Sequence, residues 1–265
     1  MSSKNILMFA AVASLLACGQ GASESDDADD AVDTSGSTSS ESALLSSAGE
    51  DTVGMSASMT DAQIADSASV KLKGRFNSGC VTATQVLNVV TYVMVDCTGP
   101  YGLAKVSGTM VVKYTRQANG SIKADASGTG LKINNGTLDL SAVATYSKNA
   151  AGLETAVVET QGKGAGSRGN TGLRTGSYVV TRDPAAGCVT VAGTWSTSWN
   201  GAKSGSNSTE VSGLKKCSSS CPAAGGVIKH TGALGKIVTV SLDGSSTAAW
   251  STSAGKSGTI DLGCK

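Results

Sequence analysis

The sequence predicts an all-β fold, an antiparallel meander of about ten to twelve strands stapled by disulfides. Three observations predict it. Hydrophobic residues make up 40% of the 265, aromatics only 4% and Pro only 3 residues, so the core is built mainly from Val, Leu, Ile and Ala. Such small and β-branched side chains fit a pleated, half-buried surface better than a helix. Apolar and polar residues alternate through several runs beyond about residue 70, and turn residues separate those runs every eight to fifteen positions.

The first element is an address. Lys4 is the sole charge before the apolar run Ile6 to Leu16, which ends at Ala17-Cys18. A membrane-spanning helix needs roughly 20 apolar residues, so residues 1–17 read as a signal peptide. Leu15-Leu16-Ala17-Cys18 resembles the lipobox of bacterial lipoproteins, with Leu16 where Ala or Ser is more usual. That resemblance implies cleavage before Cys18, a diacylglyceryl group on its sulfur and acylation of the new amino terminus. Acyl chains contribute ~0.8 kcal/mol per buried CH₂, and several together hold a protein firmly on a membrane. Gly19 rather than Asp after the cysteine implies the outer membrane by the same resemblance, with either side of it open.

Residues 18–69 follow as the lipidated cysteine and an acidic tether. From Gly19 to Val70 there are eleven acids and no Lys or Arg. From Lys71 onward twenty basic residues stand against nine acids, so a total of +1 conceals a domain of +11. The tether has too few large apolar side chains to offset the entropy of ordering and is expected to be disordered, with a reach of roughly 40 Å. Within it, Thr60 to Ala65 has the pattern of a short helix capped by Thr60.

Residues 70–265 form the β-domain. Leu138, Leu140, Ala142, Ala144 and Tyr146 share one face of a strand, opposite Thr137, Asp139, Ser141 and Thr145. Val189, Val191, Trp195 and Trp199 share another, as do Val238, Val240 and Leu242, then Ile260, Leu262 and Cys264. Alternation of this kind belongs to antiparallel strands with one solvated face. Asn119-Gly120, Asn135-Gly136, Asn200-Gly201 and Asp243-Gly244 are hairpin signals, supported by Asn149 to Gly152, Asp183 to Gly187 and Ala254-Gly255. A curved sheet, a barrel and a two-sheet sandwich all satisfy this pattern.

Six cysteines remain after Cys18, and an even number in an exported chain implies disulfides. Of the fifteen possible pairings, those expected are Cys80–Cys97 across the first hairpin, Cys188–Cys217 and Cys221–Cys264. No metal site is expected, because Cys217 and Cys221 with the single histidine make a poor zinc set.

The phrases Asp96-Cys97-Thr98-Gly99-Pro100-Tyr101-Gly102-Leu103, Cys217-Ser218-Ser219-Ser220-Cys221-Pro222 and Ser257-Gly258-Thr259-Ile260-Asp261-Leu262 resemble a β-rich, cysteine-containing lipoprotein family of myxobacterial type without assigned function. The resemblance implies one β-domain framed by cysteines and brings no activity, cofactor or catalytic residue.

Motifs that carry chemistry elsewhere lack their context. Gly164-Ala165-Gly166-Ser167-Arg168-Gly169 has the glycine spacing of a dinucleotide loop, but a strand rather than a helix is expected to follow. Ser212 to Lys215 and Ser253 to Lys256 have serine–lysine spacing without opening a helix. His230 is the single histidine, so every His-dependent triad must use it. The nine acids of the domain offer pairs of carboxylates, for which solvated strand faces are the default. No catalytic constellation and no cofactor is therefore expected.

The +11 domain draws anionic partners at long range. The expectation is a membrane-anchored envelope lipoprotein with a structural or binding role toward anionic glycan or lipid. Nucleic acid is not expected, given the envelope compartment and the lack of interleaved aromatics. Two alternatives make different structural demands. A lipid or lipoprotein carrier needs an open apolar sheet cavity, and a cell-wall-polymer hydrolase needs polar catalytic groups converging in a cleft.

Overall fold

The computed structural model describes residues 59–73, 79–98, 105–133, 136–165, 171–200, 204–217, 221–232 and 234–261. Cys18, the apolar leader, the acidic segment through residue 58 and Cys264 lie outside the described residues.

One helix, α1 (Asp61–Lys73), precedes thirteen strands: β1 (Val81–Val86), β2 (Val89–Thr98), β3 (Lys105–Arg116), β4 (Ile122–Ile133), β5 (Gly136–Lys148), β6 (Glu154–Ala165), β7 (Thr171–Asp183), β8 (Cys188–Asn200), β9 (Gly205–Cys217), β10 (Val227–Thr231), β11 (Ile237–Leu242), β12 (Thr247–Thr252) and β13 (Ser257–Asp261). They form a single antiparallel sheet in chain order. Among the described residues β1 and β13 each pair on one side only, so the sheet is open rather than a closed barrel or a two-sheet sandwich. The strands number thirteen instead of ten to twelve because the chain is cut more finely at its end. β3 to β9 run twelve or thirteen residues, whereas β10 to β13 run five or six.

Helix α1 runs across the boundary placed at residue 69. Composition assigned most of this segment to the tether, yet Ile64, Ala65 and Ala68 are at most 1% exposed and the helix lies against β1, β2 and β3. Thr60 forms a reciprocal cap: its Oγ1 accepts from Gln63 N at 3.3 Å, and its own N donates to Gln63 Oε1 at 2.8 Å. Asp61 Oδ1 then accepts from Arg116 N at 3.0 Å, and Arg116 donates to the carbonyl of Met59, fixing the helix start to the end of β3. The sheet closes over the segment and supplies the burial that its own composition lacks.

The turns carry the residues that their geometry demands. Asn149 Oδ1 accepts from Leu153 N at 2.9 Å between β5 and β6. Asp183 Oδ1 accepts from Ala186 N at 3.0 Å between β7 and β8, where Gly187 takes φ +63°. The two-residue turn Leu87-Asn88 between β1 and β2 breaks that pattern, since Leu87 sits at φ +54°.

Alternation sorts each strand into an apolar and a polar face. The apolar cluster runs from α1 through β7 and includes Tyr92, Met94, Met110, Tyr114 and Leu131, all at most 1% exposed. A second cluster gathers Val211, Leu214, Ile228, Val240, Leu242 and Ala248, and Val191 on β8 packs against both. One helix cannot cover seven strands. Exclusion of water from Ala142, Ala144 and Val158 therefore requires the sheet to coil around its own apolar face, which the small residues there permit. The same face buries Glu154, whose carboxylate lies 3.5 Å from both Lys148 on β5 and Arg182 on β7, directly opposite it in the ladder. Charges taken from water on this scale persist only when paired.

The structure bridges Cys80 to Cys97 and Cys188 to Cys217, the second pair facing each other at the ends of β8 and β9. Cys221 is also disulfide-bonded; its expected partner Cys264 lies outside the described residues. Closing the loop between Cys188 and Cys217, 29 positions apart, restricts the unfolded chain by about 3–4 kcal/mol. Replacing both by Ala is expected to lower stability by about that amount, read from the midpoint of urea unfolding against the unmodified protein.

Candidate functional site

Strand register places the polar side chains in continuous rows across the sheet. One row runs Ser127, Ser141, Gln161, Thr175, Ser196 and Ser208 over β4 to β9. All six are exposed, and Thr175 Oγ1 and Ser196 Oγ lie 3.1 Å apart. The next row runs Asp125, Val143, Glu159, Ser177, Thr194 and Glu210. Period-2 alternation creates these rows, because every second residue of a long strand faces the same way and the ladder aligns them. Most of both rows lines an open depression of about 780 Å³.

The electrostatics of the depression are acidic in detail although the domain is cationic. Asp125 and Glu159 line it, and no Lys or Arg does. Asp125 pairs with Lys123 at 2.7 Å. Asp125 on β4 and Glu159 on β6 are separated by β5, which puts their two Cα atoms ~10 Å apart at ordinary strand spacing. Val143 stands between them, 36% exposed. Farther out on the same face are Lys113, opposite Asp125, and Lys229, opposite Glu210.

The other carboxylates are dispersed into structural contacts. Asp139 Oδ1 accepts from Gly130 N at 2.7 Å, Asp96 meets Ser107, Asp183 serves its turn, and Glu154 is held by its two cations. Asp243 Oδ1 accepts from Ser245 N at 2.9 Å, and its hydrogen bonds to Ser245 hold the carboxyl below the ordinary aspartate range. Asp261 takes a ladder position opposite Thr247.

His230 lies on the apolar side of β10, half-buried, with Nδ1 2.8 Å from Thr209 Oγ1. Burial pushes its pKa below 6.5. The sign follows from proton binding. Above pH 6.5 both folded and unfolded forms are neutral, and as pH falls below 6.5 the unfolded chain takes up the proton first. Stability is therefore expected to fall with pH below 6.5, and His230→Gln to flatten that dependence, as urea midpoints at several pH values would record.

The glycine-rich Gly164-Ala165 ends β6, and the chain re-enters a strand at Thr171, so no helix follows this loop. Ser212 and Lys215 lie within β9, and Ser253 and Lys256 lie in the turn between β12 and β13. Among the described residues no group of three metal-ligating side chains comes together, and no helix is long and apolar enough to cross a membrane. Sequence reasoning missed the rows themselves; the alternating Ser and Thr of β5, β7 and β8 were their only signal. In comparisons with family models, curated proteins and solved structures, nothing matches this chain.

Proposed function

We propose that the chain is a lipid-anchored envelope protein whose β-domain binds envelope glycan through its polar sheet face rather than acting as a catalyst. The observation that supports this most is the hydroxyl row with its 780 Å³ depression. A surface of hydroxyls, one amide and two carboxylates exchanges hydrogen bonds with a polyhydroxylated polymer at little cost. Lysines elsewhere on the domain, within its excess of +11, attract the anionic envelope surface at long range. The lipobox-like Cys18 supplies the anchor in this reading.

The glycan reading is favoured over the lipid carrier because the apolar face is filled by its own side chains, Tyr92, Tyr114 and Met110 among them at 0% exposure. Two measurements test the proposal. Mass spectrometry of the native protein is expected to find an acylated Cys18 at the amino terminus; an unmodified Cys18 would remove the anchor. Retention on purified envelope fractions is expected, and its absence at every salt concentration would remove the binding role.

A further inference from the structure

We infer that the hydroxyl row is a track for a linear glycan without negative charge, lying across the strands rather than along them. This rests on the binding role proposed above and adds the ligand class and the direction of its chain. Ser127, Ser141, Gln161, Thr175, Ser196 and Ser208 provide one polar side chain per strand over six consecutive strands. Neighbouring strands are ~4.8 Å apart, about the length of one sugar ring. A glycan crossing the strands therefore meets a hydroxyl or amide at each sugar over roughly 24 Å. Along a strand the same-face repeat is longer, ~6.8 Å, and that match is lost.

The charge of the depression sets the class. Asp125 and Glu159 are acceptor-only groups that can each take two hydrogen bonds from adjacent sugar hydroxyls. The carboxylates repel phosphate or uronate groups; Lys123, 2.7 Å from Asp125, offsets one of them, and the lining itself contains no Lys or Arg to offset Glu159. Val143 between them offers a small apolar patch for the C–H face of a sugar. Domain charge thus brings the protein to the envelope, while the depression selects an uncharged chain.

The test uses the full-length chain in detergent micelles and three soluble probes: a β-1,4-linked N-acetylglucosamine hexasaccharide, its trisaccharide and a hexagalacturonate. The neutral hexasaccharide is expected to bind at least about tenfold more tightly than the trisaccharide. That binding should change less than about twofold between roughly 50 and 300 mM salt. The Gln161→Ala, Thr175→Val double variant should weaken it at least about tenfold while thermal unfolding stays unchanged. Tighter, salt-sensitive binding of hexagalacturonate would overturn the track and leave the binding role standing. Binding of the neutral hexasaccharide untouched by the double variant would do the same. Failure to bind any probe or envelope fraction would overturn both.

Discussion

Replacing Gly193 by Ala is expected to destabilise the domain by about 3 kcal/mol or more, at the upper end of what overpacking costs. Gly193 pairs with Tyr178 across β7 and β8 and stands at the register shift between β8 and β9. A Cβ there would come within 2.4 Å of Tyr178 Cβ and 2.5 Å of the Ser177 carbonyl oxygen. The second of these is backbone, so no rotamer change relieves it. Relief requires the two longest-paired strands of the sheet to separate at the point where Val191 joins both apolar clusters. A fall in the urea midpoint with the slope retained would establish the effect. An unchanged midpoint would mean that the two strands do not approach as closely as described. Gly120→Ala provides the comparison, because nothing lies within 4 Å of its Cβ position and only its positive φ opposes the change.

Ile64→Ala is expected to cost about 2–5 kcal/mol, the range for truncating a buried aliphatic side chain to Ala. Ile64 is 0% exposed and is the largest buried apolar side chain among the described side chains of α1. Most domains have only about 5–15 kcal/mol to lose, so the variant should unfold at distinctly lower urea concentration. Limited proteolysis should cut near residue 60 before it cuts the sheet. Val70→Ala, at a position 66% exposed on the same helix, should move the midpoint by less than about 0.5 kcal/mol. If both variants behaved alike, α1 would not belong to the folded unit.

The strands were legible wherever alternation ran long. Leu138 to Tyr146 sorts into faces by inspection, and the same five side chains are buried in the structure. Turns were legible where Asn, Asp and Gly marked them, as at Asn149 to Gly152 and Asp183 to Gly187. Helix α1 was legible only as its first turn, Thr60 to Ala65, because among its described side chains the buried side beyond Ile64 is made of Ala65, Ala68 and Ser69, which in a Ser- and Asp-rich context look like linker. Burial of alanine is decided by what packs on it, and that surface comes from β1, β2 and β3, which begin and end roughly fifteen to fifty residues later. The hydroxyl rows were hidden for a related reason. Each Ser or Thr reads as an ordinary solvated position on its own strand, and only the register of six strands brings them into line.

The sheet contains no crossover: every strand hydrogen-bonds to the one synthesised just before it. Each new pairing therefore closes a loop of a few residues, which carries little entropic cost and keeps partners near in sequence, the condition for rapid folding. Assembly can follow the emerging chain from its amino end, hairpin by hairpin, with the Cys80–Cys97 link, 17 positions long, able to close before β4 exists. A chain interrupted after any complete hairpin keeps all its earlier pairings and exposes just one fresh edge. The architecture should accordingly tolerate gain or loss of whole hairpins at its carboxyl end, where the strands are short, far better than any change to the block that starts at α1.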